Sequence, residues 1–295
     1  MDVSIVIPSY HSTPYIHRCL DSVLSGTSAV KNFEIFVVDS SETPLPEELR
    51  RSYKNVTFIH SPKRLFAGAA RNLGAKSAQF SWLCFLDSDC LWSPNWFNVA
   101  AASVRKFPEA LAFNGQIHYE NPGKDMAFTL HLMEFHEFLS SAHMHQRFIH
   151  SGNLLIKKEF FEKIGGFRED IPMCTDFTFA ATINQTLLKR VHFIPDLKIT
   201  HLAHLTAETE ISKKAETMGY WRGFVEKQIP PNLQIAKRYW FKISKKFLGD
   251  IFLTAILIRS IRLRSMYLSF SFRHFYSLRK LCNLWAAGFL KGIKS

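Results

Sequence analysis

In the first third of the chain the apolar positions fall into short continuous runs: "VSIVIP" (3–8), "FEIFVVD" (33–39), "VTFIH" (56–60) and "WLCFLD" (82–87). Apolar runs of this length, rich in β-branched and aromatic residues and without polar alternation, are the pattern of strands buried on both faces. The stretches between them have a helical character. Pro14 behind Thr13 and Pro44 behind Thr43 read as first-turn prolines opening helices near 14–25 and 44–53, and "AGAARNLGAKSA" (67–78) is built of small helix formers. Strand alternating with helix predicts an α/β protein with a mostly parallel sheet flanked by helices, whose ligands bind beyond the carboxyl ends of the strands.

Polar residues interrupt this pattern at telling places. Asp39 ends the second run, Asp87 ends the fourth, and Asp89 follows one residue later in "FLDSD". The first run leads into "PSYHST", which has no glycine, so a dinucleotide fingerprint is excluded, and the chain contains no G-x-x-x-x-G-K-[ST] phosphate loop. Phosphates bound at this edge would need another source of positive charge. A hard divalent cation supplies it, because Mg²⁺ or Mn²⁺ prefers carboxylate oxygens and leaves positions open for substrate phosphates. In extended backbone Asp87 and Asp89 face the same way and Ser88 the other, so two acids can address one ligand. An isolated Asp-x-Asp is also an ordinary polar turn, and spacing by itself does not separate the two.

Taken in order, "SIVIPSYH", "VVDSS", "AGAARNLGAKSA", "FLDSD", "SGNLLIKKEFFEKIGGF" (151–167) and the acid Asp176 resemble the successive signatures of family 2 glycosyltransferases, over residues 3 to 205. The resemblance implies a GT-A fold and inverting transfer from a nucleoside-diphosphate sugar. It puts Pro8, Ser9, Tyr10, Asp39, Arg71, Asp87 and Ser88 on the donor side, with Asp39 toward the base or ribose, Asp87 toward the ribose and Arg71 on the flanking helix. It makes Asp89 a metal ligand, His201 a second one with His204 as the competing choice, and Asp176 the general base. Thr175-Asp176 is also a good N-cap for a helix running to about Leu188, and both readings of Asp176 stay open. The sequence departs from the family pattern at Arg64, Phe66, Cys90, Thr175 and Thr182.

Charge separates the rest of the chain from this body. Residues 237–295 hold thirteen Lys or Arg and one acid, Asp250, so they carry the whole net charge of +12. The expected organisation is therefore a catalytic domain over 1–236, with a nucleotide-binding half to about 115 and an acceptor half after it, followed by a basic amphipathic helical tail. The longest uncharged run in that tail is the ten-residue "LCNLWAAGFL", about 15 Å as a helix against a hydrocarbon core of ~30 Å. Peripheral attachment to an anionic membrane face, near a glycan or lipid-linked acceptor, is the expectation, with packing on the catalytic body as the alternative. No nucleic acid partner is expected, because no RNA- or DNA-binding signature accompanies the basic residues. A metal-dependent nucleotidyltransferase is the nearer rival to glycosyl transfer. His131, His136, His143 and His145 lie on a predicted amphipathic helix whose spacing fails the H-E-x-x-H zinc pattern. Five cysteines without a C-x-x-C pair, and a start that enters a strand directly, point to a reducing, cytosolic setting.

Overall fold

A computed structural model describes residues 1–26, 30–120, 126–127, 130, 149–183, 190–202, 207–229 and 272–295. The predicted strands appear in place as β1 (Asp2–Ser9), β2 (Asn32–Asp39), β3 (Val56–His60) and β4 (Trp82–Leu86), and they pair in parallel in the order β3-β2-β1-β4. Their connections are α1 (Ile16–Gly26), α2 (Glu47–Ser52) and α3 (Ala67–Ser77). Two helices start later than their prolines suggest. Before α1, Ser12 O accepts from the amides of Tyr15 and Ile16, both at 2.9 Å, so Pro14 lies in a turn leading into the helix. Before α2 the amide of Leu45 is held by Asp39 Oδ2 at 3.3 Å, and Pro46, not Thr43, precedes the first helical residue.

Beyond β4 the sheet changes sense. β5 (Cys90–Trp92), α4 (Trp96–Lys106), β6 (Ala112–Tyr119), β7 (Asn153–Lys157), α5 (Lys158–Lys163), α6 (Thr175–Thr182) and β8 (Val191–His201) follow in sequence. β7 lies antiparallel to β4 and to β6, β5 lies antiparallel to β8, and the full order is β3-β2-β1-β4-β7-β6-β8-β5. The parallel pairs β1–β2, β1–β4 and β2–β3 all lie within the first four strands.

The two parts of the sheet are joined by an aromatic core. Phe85 on β4, Phe161 on α5, Phe167 in the turn after α5 and Phe179 on α6 are all buried, with neighbouring ring centroids 4.5 to 5.7 Å apart. Burying each such side chain stabilises the fold by about 1.5–3 kcal/mol, which fixes α6 against the end of β4.

The chain divides into two compact units, residues 1–118 with 141–202, and residues 119–140 with 203–295. Within the second, α7 (Glu208–Glu226) and α8 (Phe272–Lys294) run side by side in the same direction. Each carries a G-x-x-x-G pair, and backbone meets backbone there. A side chain at Gly219 or Gly223 would collide with the carbonyl of Trp285 or Phe289, and one at Gly288 or Gly292 with that of Glu216 or Tyr220. Such approach lets Cα–H groups face carbonyl oxygens along the seam. Ion pairs Lys280–Glu208 and Lys291–Glu216 flank it, and Arg222 and Glu226 form a buried pair at 2.6 Å within α7. Among the described residues no helix is long and apolar enough to cross a membrane. The histidine-rich helix, His204, the end of the helix predicted to reach Leu188 and most of the basic tail lie outside the described residues.

Candidate functional site

The carboxyl ends of β1, β2 and β4 bring the expected donor-side residues to one edge. Asp39, 3% exposed, accepts at Oδ1 from Ser9 Oγ (2.9 Å) and Ser41 Oγ (2.8 Å), and at Oδ2 from the Leu45 amide. It thereby ties β1 to the loop after β2. Tyr10 continues β1 outward. Its hydroxyl donates to Glu42 at 3.0 Å, His11 Nε2 lies 3.1 Å from the same carboxylate, and the Arg64 guanidinium sits 4.3 Å over the Tyr10 ring. One of the departures from the family pattern, Arg64, is therefore a wall of this corner. Pro8 lies in β1 opposite Val38, and Ser88 occupies the turn between the two acids after β4.

α3 positions the rest. Its motif "AGAARN" has a distinct job at each polar or missing side chain. At Gly68 a Cβ would sit 2.1 Å from Arg168 O and 3.1 Å from Thr175 Cγ2, so only a bare Cα lets the chain leading into α6 pass this close. Arg71, which sequence alone could leave as a surface charge, is 3% exposed; it pairs with Asp87 and lies 5.5 Å over the Phe167 ring. Asn72 clamps the G-G-F turn by donating to Phe167 O and Glu169 Oε1, both at 2.8 Å, and accepting from the Phe167 amide at 2.9 Å.

Asp89 and His201 come together at the other side of the Asp-Ser-Asp turn. Cys90 and His201 are paired across β5 and β8, the Leu202 amide donates to Asp89 O at 2.8 Å, and His201 Nε2 stands 3.5 Å from Asp89 Oδ2. Cys90, another departure, donates its thiol to Asp89 Oδ1 at 3.7 Å, and burial pushes that thiol well up, beyond reach of ionisation at neutral pH. Among the described residues no three His, Cys, Asp or Glu side chains gather into a cage. One carboxylate and one imidazole nonetheless fit a hard cation of the kind that takes its remaining ligands from substrate phosphates and water.

Asp176 lies in the first turn of α6. Its N-cap is Cys174, in a left-handed conformation at φ 64°, with no side-chain cap, so the Thr175-Asp176 cap expected from sequence is not formed. Asp176 Oδ1 accepts from the following amide, that of Phe177, at 2.8 Å. Burial raises its pKa above the usual aspartate value, His150, that amide and Arg71 pull it down, and Asp87 pushes it up. These influences have a structural meaning: the acid from the second half of the unit lies within electrostatic range of the Arg71–Asp87 pair from the first. An acid whose charged form is disfavoured, beside an acid that is paired with an arginine, is an arrangement that can divide proton acceptance from fixed contact.

Three residues that the sequence did not single out complete this region. His150 precedes "SGN" and is 8% exposed, with its Nδ1 accepting from the Gly152 amide at 3.1 Å. Asn114 donates to the carbonyls of His150 (2.9 Å) and Asn153 (2.6 Å), and Asn153 accepts from Trp96 Nε1 at 3.0 Å. Their signal was weak: polar residues inside apolar strands at "AFNGQ" and "SGNLLI".

Residues 4–165, more than half of the chain, match the profile of Glycosyl transferase family 2. The chain belongs to that family. A relative, glycosyltransferase AglE of Haloferax volcanii, is 26% identical over 174 residues, 56% of this chain and 55% of its own, so the chain spans about half the length of that relative. Among solved structures, the mannosyltransferase PcManGT of Pyrobaculum calidifontis, in complex with GDP-Man and Mn²⁺, superposes with a TM-score of 0.64 at 18% identity, covering 98% of this chain and 86% of that one. Residues 1–349 of TarS from S. aureus, in complex with UDP-GlcNAc, give 0.56 at 15% identity, covering 98% and 91%. The fold of this family 2 glycosyltransferase is GT-A, as expected, and family membership favours glycosyl over nucleotidyl transfer.

Proposed function

We propose that this glycosyltransferase moves a sugar from a nucleoside-diphosphate donor to a hydroxyl of a glycan or lipid-linked acceptor, with inversion at the anomeric carbon. The observation that carries the reading is the convergence of Asp176 with the Arg71–Asp87 pair, 89 residues away in sequence at Asp87. One neighbour's complex with GDP-Man and Mn²⁺ and another's with UDP-GlcNAc support the donor class without selecting a base.

Each residue then has a task. Pro8, Ser9 and Tyr10 line the nucleotide pocket beside Asp39, and Asp87 and Ser88 approach the ribose while Arg71, paired with Asp87, orients its carboxylate. Asp89 and His201 would hold Mg²⁺ or Mn²⁺, which when bound supplies Lewis-acid stabilisation to a departing diphosphate. Asp176 takes the proton of the attacking hydroxyl; its raised pKa makes it a stronger base than a solvated aspartate, at the cost of requiring a higher pH to be ionised. One base facing one leaving group gives single displacement, hence inversion. The basic tail holds the enzyme peripherally on the cytosolic membrane face, close to a lipid-linked acceptor.

The test is a panel of UDP-, GDP- and dTDP-sugars with and without Mn²⁺ or Mg²⁺, read first by thermal shift and then by release of nucleoside diphosphate. Stabilisation by one donor that is lost on adding chelator, followed by a product of opposite anomeric configuration in NMR, is the expected result. Release of pyrophosphate, or retention of configuration, would overturn it. Flotation of the full chain with anionic but not neutral vesicles is expected for the tail, and recovery with the soluble fraction on both refutes membrane attachment.

A further inference from the structure

Cys90 is one of the places where the chain departs from the pattern of its family, and its side chain is closed off from solvent, 0% exposed. It opens β5 and stands opposite His201 of β8 in an antiparallel pair, so the two side chains lie on one face of the sheet. Asp89 touches both. Its Oδ1 accepts from Cys90 Sγ at 3.7 Å, and its Oδ2 lies 3.5 Å from His201 Nε2. Each carboxylate oxygen thus has its own neighbour.

The backbone of this turn is fixed by other bonds. Asp87 O accepts from the Cys90 amide at 3.0 Å and from the Cys19 thiol of α1 at 3.7 Å, while Asp89 O accepts from the Leu202 amide at 2.8 Å. What those bonds leave open is rotation of the Asp89 side chain about its own dihedrals. A thiol is a weak donor, but a buried one facing a carboxylate favours a single orientation of that carboxylate. A methyl group in its place would offer no proton, and an acid would set a second negative charge against Asp89 away from water. We infer that Cys90 is a positioning residue for Asp89: its thiol holds Oδ1, so that Oδ2 and His201 Nε2 are presented together as protein donors to a divalent cation. This role rests on Asp89 and His201 being the metal ligands proposed above. A thiol behind the ligand keeps a site of one carboxylate and one imidazole in order before metal arrives, and such supporting partners govern metal affinity nearly as strongly as the ligands do. The sulfur itself stays out of the coordination sphere, because it is engaged as a donor and hard cations choose carboxylate oxygen over sulfur.

Mn²⁺ binding to the full chain tests this without turnover. Free Mn²⁺ is measured by electron paramagnetic resonance, alone and with UDP or GDP, for wild type, Cys90→Ala, Cys90→Val, Cys90→Ser and Asp89→Asn. Affinity should fall about tenfold in Cys90→Ala. Cys90→Val fills the thiol's space and suits a strand; it should fall by as much, and it carries the test should the alanine variant not fold. Cys90→Ser keeps a donor of similar size and should remain near wild type. Infrared spectroscopy reads the contact directly: the S–H stretch that disappears in Cys90→Ala should move to higher frequency in Asp89→Asn, where an amide replaces the carboxylate as acceptor. Mn²⁺ affinity that is lost in Asp89→Asn but untouched in Cys90→Ala and Cys90→Val overturns the role of Cys90 alone, as does a serine variant as weak as the alanine one. No Mn²⁺ binding by wild type under any of these conditions, or an affinity indifferent to Asp89→Asn, sinks the metal-site reading and the role of Cys90 with it.

Discussion

Asp87 and Asp176 are the same side chain in two environments, one at each side of the aromatic core. Asp87, at the end of the parallel strands, keeps 28% of its side chain in solvent and is paired with a buried arginine. Asp176, on the helix between β7 and β8, is itself only partly buried, takes a hydrogen bond from its neighbour's amide and is pushed toward the neutral form by loss of hydration. Chemistry divides along that line. A carboxylate already neutralised by a guanidinium is a poor proton acceptor and a good fixed contact, whereas an under-solvated one gains from taking a proton. Two acids close enough to feel each other can thus hold different protonation tasks at one pH.

The strongest way to break this contrast is to remove the acceptor. Asp176→Asn should lower kcat by ~10²–10⁴ while donor affinity, measured by thermal shift or calorimetry, stays at the wild-type value. A variant that keeps its turnover would mean that Asp176 serves the fold rather than proton transfer. The converse experiment removes the arginine. Arg71→Met takes the counter-charge from Asp87 and from the face of Phe167. Breaking a fully buried pair costs about 3–5 kcal/mol, but Asp87 retains access to water, so urea unfolding should show a loss of about 2–3 kcal/mol. Donor affinity should fall with it, the opposite split from Asp176→Asn.

A smaller effect separates positioning from charge. Asn72→Ala leaves the amide and carbonyl of Phe167 without their buried partner, for a loss of about 1–2 kcal/mol in urea unfolding. Because the clamped turn leads into α6, kcat should fall further than donor affinity does. Equal losses in both would show that the clamp serves the donor side.

Much of the edge formed by β1, β2 and β4 was legible in the sequence. Continuous apolar runs can only be buried strands when turn residues bound them at five to eight residues, and each strand end then names the residue at the ligand edge: Ser9, Asp39, Asp87. The antiparallel part of the sheet was not legible in the same way. β6, β7 and β8 carry Asn114, Gln116, Asn153, His192 and Lys198 within their strands, so their apolar signal is diluted by side chains whose partners lie far off in sequence. His150 belongs to the same class: nothing adjacent to it in the chain shows that Asn114 holds its carbonyl. Arg71 was misjudgeable for a related reason. Its helix position looks like any exposed cation until Gly68 is known to bring residue 168 against the helix and cover it.

The gentlest test of the contrast is stability rather than rate. Asp176 has a folded-state pKa above its unfolded value, because burial penalises the carboxylate in the native protein alone. Between those two values the folded chain binds more protons than the unfolded one, so this group's contribution becomes less favourable as pH rises through the interval, and the full penalty is present above the folded value. Below the unfolded value both states are protonated and the penalty is gone. Asp176→Asn replaces the titrating acid with a neutral isostere and should therefore melt higher than wild type at neutral pH, by at most a few degrees, with the difference shrinking as pH falls toward the ordinary aspartate range. Asp87→Asn should do the reverse at neutral pH, since it breaks the pair with Arg71 rather than relieving an unpaired charge. Should both variants melt lower than wild type by similar amounts, the two acids would be equivalent supports of the fold, and the division of labour between them would have no energetic basis.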